Sequence, residues 1–136
     1  MEIIFKPIGF IRAQVKNVPR HWTLSDEEGM LVLNEEFIPG IKDITRGQHI
    51  VVIFHFHKSR DFSDYFLVQK PPHKKERCGV FSTCSPIRPN AIGMSVLEVL
   101  KIDRNIIYFR GLDMIDGTPV LDIKPLVGTR VDRNST

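Results

Sequence analysis

The stretch His49–His57 reads HIVVIFHFH, and it limits the fold more than any other part of the chain. Alternation sets Ile50, Val52, Phe54 and Phe56 on one face and Val51, Ile53, His55 and His57 on the other. Such a run is a strand with an apolar inner face. Its uninterrupted apolar part, Ile50–Phe54, is also the longest in the chain, far short of the about 20 residues a membrane helix needs. The remaining apolar runs are equally short and are broken by nine prolines and nine glycines. A chain of this kind is expected to fold as short strands joined by tight turns.

The other segments agree. Ile3–Val15 is extended, with Gly9 at a bend, and Met30–Leu33 and Tyr65–Lys70 read as strands. Met94–Ile102 and Ile106–Gly111 flank Asp103-Arg104-Asn105, a hairpin signal. Pro119–Lys124 returns as a strand, with proline at a tolerated first position. Pro39 and Gly40 limit any helix to a short piece over Ile41–Thr45. The expected fold is all-β, a small β-barrel of short, mostly antiparallel strands with one minor helical segment. The 136 residues suffice for one domain, assigned to residues 1–127, with a polar tail over 128–136. Cys78 and Cys84 form neither a zinc pattern nor a disulfide framework, so no metal is assigned. With no apolar leader at Met1-Glu2, a cytoplasmic protein is expected, with neither membrane nor DNA as partner.

Chemistry concentrates in two loops. Gly79–Gly93 reads GVFSTCSPIRPNAIG. It begins as a short strand at Val80 and Phe81, then offers the hydroxyls of Ser82, Thr83 and Ser85. Arg88 follows, a planar fork of five donors between Pro86 and Pro89, and then the Asn90 amide. The second loop, Leu112–Thr118, carries Asp113 and Asp116. The hairpin between the loops would bring their ends to one edge of the sheet, with Arg88 and Asn90 facing Asp113 and Asp116. Charges of both signs across one cleft suit a zwitterionic ligand, and amino acids and nucleotides fit as well as S-adenosylmethionine. Arg20, His21 and Trp22 form an exposed turn that reads first as cover for the barrel mouth. The basic run His73–Arg77 either tracks a phosphate backbone or is a solvated loop.

The two stretches GVFSTCSPIRPNAIGMS and LDMIDGTPVLDIKP, with IGFIR, VPR and VIFHFH before them, resemble the TsaA-like family. Its characterised branch, TrmO, methylates the N6 of threonylcarbamoyladenosine beside the tRNA anticodon. The resemblance covers nearly the whole chain. It implies a β-barrel that binds S-adenosyl-L-methionine and works as a homodimer on tRNA. The alternative is an S-adenosylmethionine- or nucleotide-binding protein without tRNA methylation activity. Carried over residue by residue, the cofactor pocket draws on Pro19, Arg20 and His21, then on His57 and Lys58. The first loop adds Arg88, Pro89, Asn90 and the backbone around Met94. Asp113, Met114, Ile115 and Asp116 close it, with Gly117 and Thr118 shaping the turn. Asp113, Asp116 and His57 are the candidate catalytic bases. Two departures stand out. The family motif reads Thr-Arg-Ser where this chain has Thr83-Cys84-Ser85. Longer members also add a C-terminal extension after the segment matching DIKP.

Overall fold

The computed structural model describes residues 1–128. The expected tail over 128–136 therefore lies, apart from Gly128, outside the described residues. The chain is mostly β. Eight strands form, β1 (Gly9–Arg12), β2 (Glu28–Leu33), β3 (His49–His55), β4 (Val68–Gln69), β5 (Cys78–Gly79), β6 (Ile92–Asp103), β7 (Ile106–Arg110) and β8 (Pro119–Pro125). Six of them close into a ring in the order β1-β2-β7-β6-β3-β8, with every pairing antiparallel. The short pair β4–β5 stands apart as a two-stranded ribbon.

The alternation of β3 holds through the strand itself: Ile50, Val52 and Phe54 are buried, and His49 and His55 are exposed. They join Ile11, Leu31, Leu97, Val99, Ile107, Phe109 and Val120 in one core. Closure needs sharp local bending. The register shifts between Ile53 and Phe54 against β8, and between Val99 and Lys101 against β7. An extra residue at such a point bends the strand and steepens its twist. Gly9 permits a close backbone approach between β1 and β2, because a Cβ there would lie 2.5 Å from the Val32 carbonyl oxygen.

Three local expectations change. The longest helical segment is a 3-10 stretch over Glu35–Ile41 that ends where the expected helix would begin. The first-turn Glu35 and Glu36 suit its start, and Pro39 is tolerated in so short a piece. The stretch Tyr65–Lys70 is a 3-10 turn over Asp64–Leu67 followed by only two strand residues. Its aromatic and apolar residues suggest a strand, but Tyr65, Leu67 and Val68 are exposed and no ring strand pairs with them. Val80 and Phe81 likewise belong to a 3-10 turn, and the strand is Cys78–Gly79 just before it. The hairpin at Asp103–Ile106 forms as expected, with Arg104 at φ 54°.

Candidate functional site

A cavity of about 570 Å³ opens at one end of the ring. Three segments and the end of β3 build it. The turn Val18–Trp22 gives one wall, and the loop from Thr83 to Met94 gives another. The third is the loop after β7, through Asp113, Met114, Ile115 and Thr118. Phe54, Phe56, His57, Lys58 and Ser59 enter from the end of β3.

Each wall is held by bonds its sequence can make. Arg88 turns inward on its own loop, and its NH1 donates to the carbonyls of Thr83 and Ser85, both at 3.0 Å. The Ser85 hydroxyl accepts from the Ile87 N–H at 3.2 Å, and the Ser59 hydroxyl donates to the Pro86 carbonyl at 3.0 Å. Gln69 reaches across from β4 to the Ile87 carbonyl at 2.7 Å. These bonds explain the loop's richness in hydroxyls, which mostly shape it. The floor is an edge-to-face pair of Phe54 and Phe56, with ring centroids 4.9 Å apart. Gly93 faces that pair at such close range that a Cβ would lie 2.3 Å from the Phe54 ring.

The second loop is anchored on both sides of its carboxylate. Leu112 and Met114 are buried in the core, and the Leu112 carbonyl accepts from the Ser25 hydroxyl at 2.6 Å. The Ser95 hydroxyl on β6 donates to Asp113 Oδ1 at 2.5 Å. Burial pushes the Asp113 carboxyl above its ordinary value of 3.8. The Ser95 hydroxyl, the Trp22 backbone N–H and the His21 charge pull the other way. His57 lies just beyond β3, and its Nδ1 is buried with no hydrogen-bond partner among the described residues. Burial, then Lys58 and His55, lowers the His57 pKa below its ordinary 6.5.

Of the residues expected at the site, Pro19, Arg20, His21, His57, Lys58, Arg88, Met94, Asp113, Met114, Ile115 and Thr118 line this one cavity. Pro89, Asn90, Asp116 and Gly117 do not. Asp116 Oδ1 instead accepts from the Ala13 N–H at 2.9 Å. Gly117, at φ 83°, donates its N–H to the Ile11 carbonyl at 2.8 Å. A Cβ on Gly117 would sit 3.7 Å from His57 Nε2, so the glycine packs behind the histidine. Asn90 offers its backbone carbonyl to the Ile92 N–H at 2.7 Å. The expected cleft is thus present with one carboxylate at its wall, Asp113, while Asp116 ties its loop to the first strand.

Trp22 belongs to the wall, where the sequence suggested only cover for the barrel mouth. Phe54 and Phe56, assigned to the core face, also form the floor. Ser95 escaped notice, although a signal was present. It is the one polar residue on the inward face Gly93, Ser95, Leu97, Val99 and is fully buried. A buried hydroxyl needs a partner.

A closed all-β domain with a mixed-charge, aromatic-floored cavity at one end is a small-ligand-binding protein in its build. Comparison with known proteins specifies it further. The family model for the tRNA-methyltransferase O N-terminal domain matches residues 11–132. A probable S-adenosyl-L-methionine-binding protein of Pyrococcus abyssi is 41% identical over 92% of this chain and 68% of its own length. An S-adenosyl-L-methionine-binding protein of Archaeoglobus fulgidus is 40% identical over 90% of this chain and 88% of its own. A crystal structure of TrmO from Pseudomonas aeruginosa superposes with a TM-score of 0.74 at 30% identity, over 98% of this chain and 62% of that one. The chain belongs to the TrmO family. It spans less than two thirds of the solved TrmO chain.

Proposed function

We propose that this protein is an S-adenosylmethionine-dependent methyltransferase acting on the N6 of threonylcarbamoyladenosine beside the tRNA anticodon. The observation that carries this reading is the cavity itself, with cations on two walls, one carboxylate on the third and an aromatic floor. Its volume lies in the usual range for small-molecule sites. Arg20, Lys58 and Arg88 are absent from the ion pairs among the described residues. Arg20 and Lys58 can meet a carboxylate directly, and Arg88, whose NH1 is bonded within its own loop, keeps its other donors for one. Asp113 complements an ammonium or sulfonium, and Phe54, Phe56 and Met94 suit an adenine ring. The orphaned His57 Nδ1 supports the fit, because a buried polar nitrogen without a partner is costly unless a ligand completes it. The human relative named tRNA (adenine(37)-N6)-methyltransferase, 48% identical over 58% of this chain and 18% of its own length, supports the reaction class.

The cofactor supplies an electrophilic methyl group on a positively charged sulfur. The chain's own residues bind, orient and exclude water. Holding the acceptor nitrogen in line with the methyl group supplies much of the rate enhancement. Transfer leaves a proton on that nitrogen, and Asp113, the one carboxylate among the described residues that lines the cavity, is the first candidate base, with burial raising its proton affinity. His57 is the second candidate, kept neutral by its surroundings. Asp116 and Gly117 act by holding their loop against Ala13 and Ile11, and Asn90 acts through its backbone bond to Ile92.

The ring is taken as a small β-barrel and the protein as a cytoplasmic homodimer. The free thiols of Cys78 and Cys84 suit a reducing compartment, and exposed Ile3, Ile4 and Phe5 suit a subunit interface. Sedimentation at micromolar concentration would return a monomer mass if the dimer reading is wrong.

A second reading rests on Cys84, which lines the cavity where the family carries arginine. It is cofactor binding without tRNA methylation. Incubating the protein with methyl-labelled S-adenosylmethionine and total tRNA decides between the two. Label in tRNA is expected. Calorimetric binding with no label transferred would favour the second reading, and no binding at all would sink both.

A further inference from the structure

We propose that a second cavity beside the first is the entry site for the acceptor RNA, holding the oxyanion groups that flank the target base. This inference rests on the methyltransferase reading and assigns a place to its second substrate. The cavity measures about 660 Å³ and lies between the β4–β5 ribbon and the loop Ser82–Pro86. Its lining carries Arg20, Lys70 and Lys74 together with the imidazoles of His21 and His73, and among the described residues no aspartate or glutamate. None of the three cations takes part in an ion pair among the described residues. A concave surface with one sign of charge concentrates anions.

Its position matches the charge. Arg20, His21, Thr83, Cys84 and Pro86 line both cavities. A group seated in the second is therefore a neighbour of whatever fills the first, as transfer between two bound substrates requires. Leu24, Pro71 and Pro72 add rigid apolar faces, and the imidazoles add planar ones, against which a nucleobase can lie. Charge together with flat apolar surface favours a nucleotide over an acidic peptide. The basic run after Pro72 thereby gains a role for its first two residues, His73 and Lys74.

Two oxyanions share this chemistry, the phosphodiester of the RNA backbone and the carboxylate of the threonylcarbamoyl group. The probe is a labelled anticodon stem-loop RNA, with and without that modification, titrated with the full chain by fluorescence anisotropy. Lys70 and Lys74 are both exposed, so the double variant K70A/K74A is expected to fold. It should bind the modified RNA about tenfold more weakly while its calorimetric affinity for S-adenosylmethionine is unchanged. A control with the same charge change on exposed residues elsewhere, K42A/K101A, should bind within about twofold of the parent. If backbone phosphates are held, the salt dependence of log K flattens by about 0.7 for each phosphate released by the substitutions. If the carboxylate is held, the slope stays and preference for the modified RNA disappears. Equal RNA binding by parent and K70A/K74A, an equal weakening in K42A/K101A, or competition by polyglutamate as strong as by RNA would each overturn the proposal. Failure of the parent to bind S-adenosylmethionine would sink the methyltransferase reading, whereas the RNA titrations alone decide the role of the second cavity.

Discussion

His57 places a buried nitrogen without a partner at the wall of a cavity. Its lowered pKa has a direct consequence for stability. The unfolded chain begins to protonate this imidazole near the ordinary value of 6.5, whereas the folded chain resists until lower pH. Between those values the unfolded state binds more protons, so stability falls as pH drops through 6.5 and below. His57→Gln should flatten that part of the curve, read by urea denaturation at pH 7.5, 6.5 and 5.5. The buried Ser95 hydroxyl gives a second residue-scale test. Its bond to Asp113 is charge-assisted while the carboxyl is ionised. Ser95→Ala should cost about 1.5–3 kcal/mol at neutral pH. It should also raise the Asp113 pKa further, visible as an alkaline shift of the lower limb of the pH–rate profile.

At the scale of elements, the cavity floor depends on how β6 meets the end of β3. Gly93 leaves the space that the rings of Phe54 and Phe56 occupy. Gly93→Ala would force those rings to move, and overpacking of this kind costs about 1–3 kcal/mol. The variant should melt lower and lose affinity for S-adenosylmethionine more than its stability change alone predicts. The β6–β7 hairpin offers a test of opposite sign. Arg104 holds φ 54°, which costs a residue with a Cβ about 1–2 kcal/mol, against about 0.5–1 kcal/mol for the added freedom of glycine. Its ion pair with Glu35, at 3.9 Å and largely exposed, adds little. Arg104→Gly should therefore raise Tm slightly. This hairpin, the ring strand β3 and the β8 return were legible in the sequence, because alternation and turn chemistry are local signals. The Tyr65–Lys70 stretch misled because nothing in its residues says whether a neighbouring strand will be there to pair with. The same limit separated Asp113 from Asp116. Both carboxylates look alike in the sequence, and only the arrival of Ser95 at one and Ala13 at the other distinguishes them.

For the whole molecule, one core fills one closed ring, and the described residues should unfold in a single transition. S-adenosylmethionine at a hundredfold excess over its Kd should add about 2.7 kcal/mol to the unfolding free energy, detected as a ligand-dependent rise in Tm. No rise at millimolar ligand would contradict the cofactor assignment. Much of this architecture could be read from pattern, since short even-spaced strands leave few alternatives to a closed or stacked sheet. The cavity could be read in outline through its two loops. That the Phe54–Phe56 pair would floor a cavity, and that a cationic cavity would lie beside it, could not, because both depend on segments far apart in sequence meeting around them.

The seam between β1 and β8 joins segments 103 positions and more apart in the sequence. Ile8 donates to Val120, Ile11 exchanges bonds with Gly117 and Thr118, and Ala13 holds Asp116 across 103 positions. The loop bearing Asp113 is thus fastened through β1, and the fastening closes only when segments far apart in sequence meet. A ribosome-bound chain can pair β1 with β2 early, but the β1–β8 edge of the ring stays open until β8 has emerged. Ligand capture by a nascent chain would then serve as a clock for the end of folding, starting only when that seam closes.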